Sequence, residues 1–265
     1  MTTPRYVHGY APAVQRSHAR RTAAGSAPHL LPSLRPGLDL LDVGCGVGSI
    51  TVDLAARVAP GRVVGVDVAE EVLATAREAA RAAGADVRFV AADACALPFD
   101  DASFDVVHAH QVLQHLGDPV AALREMRRVV RPDGVVAVRD ADYATVHAHP
   151  ELPGLEDWLT TYRAIARAAG GDPDAGAHLV GWARAAGFSR WEPSASVWSW
   201  ATSEDRAWWG QTWAERVQAS TLTERLRESG CDEERIAAMA QAWRDWTAAQ
   251  DGWMAMVHGE LLARP

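Results

Sequence analysis

The sequence contains no lysine, and all 26 of its basic residues are arginine. That excludes a lysine Schiff base. It has three cysteines, Cys45, Cys95 and Cys231, an odd number without a C-x-x-C pair, which argues against a disulfide framework or a zinc site. No apolar run approaches the roughly 20 residues that cross a bilayer, so no membrane span is expected. No basic block stands out against a net charge of −8, and a phosphate backbone would be repelled on average. Nucleic acid is therefore not the expected partner. The first 38 residues contain no acid, and the first 150 contain no tryptophan, although the chain has 11.

What is present begins with Leu40-Leu41-Asp42-Val43-Gly44-Cys45-Gly46-Val47-Gly48-Ser49, an apolar strand that breaks into a glycine turn and opens a helix. Without Cβ atoms the turn lets a ligand lie against peptide groups and against the free N–H donors of the next helix. Dinucleotides and S-adenosylmethionine are both bound by strand, glycine turn and helix. The dinucleotide spacing is G-x-G-x-x-G, whereas this turn reads G-x-G-x-G.

The downstream acids decide between them. Arg62 to Val68 reads as a second buried strand, with Asp67 at its carboxyl end, placed to accept both hydroxyls of a ribose. Val87 to Ala92 reads as a third strand, followed by Asp93, which can take the exocyclic amine of an adenine beside small neighbours such as Ala94. Three acids at successive strand ends favour the methyl donor.

These segments, together with V-L-Q-H-L at 112 to 116 and R-P-D-G at 131 to 134, resemble the class I S-adenosylmethionine-dependent methyltransferases. The nearest group is the methyltransferase type 11 group, which looks like the ubiquinone and menaquinone C-methyltransferases. The likeness spans residues 38 to 140. It implies that Asp42 and the Gly44 and Gly46 backbone hold the methionine part, Asp67 the ribose, and Asp93 with Ala94 the adenine. Cys45, Gly48, Val68, His110 and Gln111 complete the implied donor site, and S-adenosylhomocysteine is the implied product.

Strand and helix patterns alternate over residues 38 to 142, the signature of a doubly wound, Rossmann-like α/β fold. The expectation is a seven-stranded, mostly parallel sheet with an antiparallel C-terminal edge and an inserted helical lid. Helices are expected over Ser49 to Ala59, over Glu70 to Ala83, and from Pro119 to Gly134; Phe104 to His110 and Val135 to Arg139 are expected as strands four and five. Residues 143–187 are expected to form a helical connection or substrate cap. Residues 188–265 are expected to form two antiparallel strands, Phe188 to Trp200 and Trp253 to Ala263, with tryptophan-rich helices between them. Trp158, Leu159, Tyr162 and Ile165, and Ile236, Met239, Trp243 and Trp246, recur at helical spacing, which suits a core more than a pocket.

Residues 1–37 mimic a transit peptide in being rich in Arg, Ser and Ala. Tyr6, His8, Gly9 and Tyr10, and the unbroken approach to the first strand, favour a helical lid that brings Tyr10, His18 or Arg21 near the donor's carboxylate.

Methyl transfer from a sulfonium needs alignment more than a fixed catalytic group. His110, at the end of strand four, and Tyr143, after strand five, are the candidate catalytic residues; Asp140 and Asp142 share that rim. His108 and His110 share a strand face, but no third ligand is indicated, and no metal is expected. His115 reads as a structural hydrogen-bonding residue, and His147 and His149 as a hinge. The expected protein is a cytoplasmic monomer or homodimer that methylates a small, apolar or aromatic acceptor. Three other readings stand beside it: a methyltransferase fold that keeps the donor structurally and runs a non-methylating reaction, a non-enzymatic assembly partner using its tryptophan-rich helices, and a nicotinamide-dependent oxidoreductase.

Overall fold

A computed structural model describes residues 12–265. Tyr6, His8, Gly9 and Tyr10 lie outside the described residues.

After the N-terminal helices α1 (Pro12–Ala19) and α2 (Ala23–Ser26), the chain alternates β1 (Leu40–Val43), α3 (Ser49–Val58), β2 (Val63–Asp67), α4 (Glu70–Ala83) and β3 (Arg88–Ala91). It continues through β4 (Phe104–His110), α5 (Pro119–Val129) and β5 (Val130–Ala141). β1, β2, β4 and β5 read as apolar runs because helices cover both faces of the sheet. α4 buries Val72, Leu73, Ala76 and Ala80, one helical stripe, and stops at Gly84, whose φ of 62° a side chain would resist. Asp118 caps α5 by accepting the Ala121 N–H at 2.8 Å, and Pro119 fills the first turn, where no N–H is needed.

The second half adds β6 (His147–His149), α6 (Pro153–Ala168), α7 (Leu179–Ala185) and β7 (Arg190–Trp200). It ends with α8 (Ser203–Gln218), α9 (Thr221–Glu228), α10 (Glu233–Ala248) and β8 (Trp253–Arg264). The sheet runs β3-β2-β1-β4-β5-β8-β6, with β7 also paired to β8. β1 to β5 pair in parallel, and β8 is antiparallel to β5, β6 and β7. The order reverses direction at β1 and β4, where a crevice opens beyond the strand ends.

Among the described residues the sheet has eight strands, one more than the sequence pattern suggested, because His147 to His149 pair with Trp253 to Ala255 rather than forming a hinge. α5 ends at Val129, five residues before Gly134. Pro132 disfavours the helical conformation at Arg131, and Val130 pairs with Phe104 instead. Gly134 lies at the register shift between Phe104 and Val106, where a Cβ would sit 2.6 Å from the Asp105 carbonyl oxygen.

The tryptophans of α6, α8 and α10 form a core of their own. The Trp158 ring lies 4.5 Å from Trp213 and 4.7 Å from Trp243, both edge-on, and all three are buried. Among the described residues, no helix is long and apolar enough to cross a membrane.

Candidate functional site

The glycine turn has three backbone positions in the left-handed region, with φ of 68° at Gly44, 53° at Gly46 and 79° at Gly48. Their surroundings differ. A Cβ at Gly44 would meet Val112 Cγ2 at 2.3 Å, and one at Gly48 would meet Ala76 Cβ at 2.9 Å. At Gly46 nothing lies within 4 Å, so its Cα faces open space. Gly44 and Gly48 thus allow close packing, while Gly46 leaves room for a ligand. Gly48 packs against α4, behind the lining of the site.

Asp67 ties this turn to the end of β2. Its Oδ2 accepts the Gly46 N–H at 3.0 Å and its Oδ1 the Ala69 N–H at 3.1 Å, while burial pushes its pKa up. Next to it Val68 is 69% exposed, an unusual apolar surface beside the crevice. Asp93 Oδ1 accepts the Cys95 N–H at 2.8 Å, which shapes the loop after β3. Asp42 lies deeper, with Thr51 Oγ1 at 2.5 Å from Oδ2 and His108 Nδ1 at 2.7 Å from Oδ1. Burial and the neighbouring Asp42 and Asp67 push the Cys45 thiol well up, so it stays protonated.

At the end of β4, His110 is buried and neither ring nitrogen has a hydrogen-bond partner among the described residues. Burial, reinforced by the charges of Arg21 and Arg139, holds it well below the ordinary imidazole range. Gln111, with φ of 53°, follows and links three parts of the chain: its Oε1 accepts from Arg21 Nη2 at 2.7 Å, and its Nε2 lies 2.9 Å from His258 Nε2. His115 bonds to Gln114 Nε2 at 3.1 Å and is pushed down to about 3 by burial. Tyr143 is 5% exposed; burial raises its phenol pKa against a hydrogen bond with Tyr162. Asp140 is buried, accepts the Gln114 N–H at 3.0 Å, and is pushed up to about 7 by burial. Asp142 caps the next turn through the Ala144 N–H at 3.0 Å.

A cavity of about 660 Å³ brings these groups together. Asp42, Gly44, Cys45, Gly46, Asp67, Val68, Asp93 and Ala94 line it around the ends of β1, β2 and β3, and His110, Gln111 and Arg21 line it as well. Tyr143, Trp209, Arg216 and Met256, and Val14, Gln15 and His18 of α1, line the rest. That size is ordinary for a pocket holding a cofactor and a small ligand. Trp209, Arg216, Met256 and Val14 were not anticipated: they come from α8, β8 and α1, which the tertiary fold alone brings to the strand ends. Among the described residues, no group of three or more His, Cys, Asp or Glu is placed to hold a metal.

Beneath the site runs a polar ladder that was also not foreseen. Fully buried Arg139 lies 3.2 Å from Glu260 Oε1, donates to Ser196 Oγ at 2.9 Å, and sits 4.8 Å from the Trp198 ring centre. The pairing of His110 with Arg139 and of Arg139 with Glu260 puts these groups in one row across β4, β5 and β8.

Residues 41–138 match the methyltransferase domain family. Over 267 residues the chain is 34% identical to an uncharacterized methyltransferase of Schizosaccharomyces pombe, covering 97% of this chain and 95% of that protein. The chain is a methyltransferase. It belongs to the class I S-adenosylmethionine-dependent family, and its methyltransferase domain is similar to those of the quinone C-methyltransferases: a demethylmenaquinone methyltransferase of Staphylococcus aureus is 41% identical over 104 residues, covering 39% of this chain and 43% of that one. A solved structure titled a [4+2]-cyclase, SpnF, is 26% identical with a TM-score of 0.55, covering 93% of this chain and 84% of that one. S-adenosylmethionine is the cofactor of this methyltransferase. The open Cα of Gly46, the acid at the end of β2 and the volume of the cavity fit it.

Proposed function

We propose that this methyltransferase acts on a small organic acceptor with a flat, apolar body. One observation carries the reading: the cavity lined by the glycine turn is also lined by Tyr143, Trp209 and Met256, rings and a thioether suited to such a body. The net charge of −8 favours a small molecule over nucleic acid.

Bound S-adenosylmethionine supplies a methyl carbon on a sulfonium, which leaves as a neutral thioether. Asp67 would accept the ribose hydroxyls, already oriented by the Gly46 and Ala69 amides. Asp93 and Ala94, with Val68 beside them, would receive the adenine. The Gly44 and Gly46 backbone and Cys45 would border the methionine part. Asp42 lies behind them, held by Thr51 and His108, and Arg21 is the cation for the donor's carboxylate. His110 is held neutral and would be a weak proton acceptor, so we assign it hydrogen bonding to the acceptor. Tyr143, also in the lining, would help orient the acceptor. In this scheme residues 38–142 bind the donor, residues 12–37 form a lid, residues 143–187 a cap, and residues 188–265 wall the acceptor space.

The test is incubation with methyl-labelled S-adenosylmethionine and a small-molecule extract of the source organism, followed by mass identification of the labelled product. Label in a small aromatic or apolar compound is the expected result. Label that remains on the donor would overturn the reading and favour non-methylating use of the cavity.

A further inference from the structure

His110, the last residue of β4, lines the cavity, is 6% exposed, and has two ring nitrogens without a hydrogen-bond partner among the described residues. Its neighbours meet it through ring faces and charge instead. The Trp198 ring centre lies 5.6 Å from that of His110, and the His258 ring centre 6.4 Å from it with the two planes nearly parallel. His258 is engaged elsewhere, its Nε2 being 2.9 Å from Gln111 Nε2. Arg139, which stands opposite His110 in the pairing of β4 with β5, is turned to Glu260 and Ser196. The charges of Arg21 and Arg139, with His258 and His108, act on His110 in the same direction as burial and keep its ring neutral.

A buried polar nitrogen left unmet costs stability, so an imidazole in this state at the edge of a cavity points to a ligand group that meets it. A neutral imidazole offers one N–H and one lone pair. A hydroxyl answers either of them, accepting from the N–H or donating to the lone pair. An ammonium can only donate, and it would stand in the field of Arg21 and Arg139. A carboxylate can only accept, and it brings a full charge that a neutral ring does not balance. An ether or a ketone can only accept, and neither is a good nucleophile for a methyl group. We infer that the acceptor presents a hydroxyl group to His110, so that the methyl goes to that oxygen or to a carbon it activates, and not to an amine. The inference rests on the methyl-transfer reading of the cavity and adds the functional group of the acceptor to it. His110 is then a specificity-determining residue, since it selects the hydroxyl among groups of similar size.

The test uses the full chain loaded with S-adenosylhomocysteine, which fills the donor's share of the cavity, and four probes titrated by calorimetry: 2-naphthol, 2-methoxynaphthalene, 2-naphthoate and 2-naphthylmethylammonium. 2-Naphthol is expected to bind about tenfold or more tightly than each of the other three, as one well-met buried hydrogen bond provides. His110→Phe should bring 2-naphthol and its methyl ether to equal affinity, and His110→Asn, which keeps a donor and an acceptor, should retain part of the preference. Nitrogen NMR of histidine-labelled protein gives a second readout: 2-naphthol should shift the ring signals that are missing from the spectrum of His110→Asn. Equal affinity for 2-naphthol and its ether on the unaltered protein overturns the inference, as does tighter binding of the carboxylate or the ammonium, or failure of 2-naphthol to bind the loaded protein. A preference for 2-naphthol that survives His110→Phe overturns it too, and so do His110 ring signals that 2-naphthol leaves in place. Should His110→Phe not fold, the four affinities on the unaltered protein decide. Failure of S-adenosylhomocysteine itself to bind is a different result, and it removes the reading on which the inference stands.

Discussion

The amide of Gly46 donates to Oδ2 of Asp67 across 3.0 Å, joining the glycine turn after β1 to the tip of β2. The bond is a direct link between the two sequence features, 21 residues apart, that first pointed to a nucleotide-type cofactor. It orients the carboxylate and leaves the open Cα of Gly46 facing the cavity.

The glycines of the turn should therefore fail in different ways. Gly44→Ala places a Cβ 2.3 Å from Val112 Cγ2 at a positive φ and should lower the unfolding free energy by about 2 kcal/mol or more, read from urea midpoints. Gly46→Ala meets no neighbour within 4 Å. It should cost only about 1 kcal/mol from its φ, and weaken S-adenosylhomocysteine binding by more than its effect on folding explains.

Asp140 should make the protein less stable as pH rises. Burial lifts its carboxyl from 3.8 to about 7. Below about pH 4 both folded and unfolded chains hold the proton; from there to about 7 the unfolded chain releases it while the folded one retains it. The cost grows across that window to about 4 kcal/mol, the linkage equivalent of the shift. Asp140→Asn should lose this dependence, so its stability relative to the unaltered protein should improve between pH 4 and pH 8 in parallel denaturation series.

His29 works in the opposite direction. Its side chain is 4% exposed, and burial lowers its pKa from 6.5 to about 4. Above pH 6.5 both states are neutral, and as pH falls towards 4 the unfolded chain takes up a proton that the folded chain refuses. About 3 kcal/mol of stability should be lost across that window, and His29→Gln should flatten it in the same series.

The parts of this protein legible in its sequence are the ones made by neighbours in the chain. Gly44, Gly46, Asp67 and Asp93 fall at strand ends whose apolar runs announce themselves, and α4 occupies its expected Glu70 to Ala83 span. Arg216 could not be read in this way, since it is one of 26 arginines and its place in the cavity depends on how α8 docks against α1. Nor could the row through Arg139, Glu260 and Ser196, because it depends on the register of β5, β7 and β8, set by residues 57 to 121 positions apart. His147 to His149 became a strand only because the long β8 offered them an edge.

The tryptophan core should behave as structure. Trp243→Ala removes a fully buried ring packed edge-on against Trp158 and Trp246, and should cost about 3 to 5 kcal/mol of stability. Because Trp243 does not line the cavity, affinity for S-adenosylhomocysteine below the unfolding transition should be unchanged in calorimetry.

The most direct test is a calorimetric titration of S-adenosylhomocysteine into the unaltered protein and into Asp67→Ala. The donor site proposed here predicts saturable binding to the former and affinity lower by about 10- to 100-fold in the latter, the value of hydrogen bonds to a charged acceptor. Equal affinity in the two proteins, or no binding to the unaltered one, would contradict it.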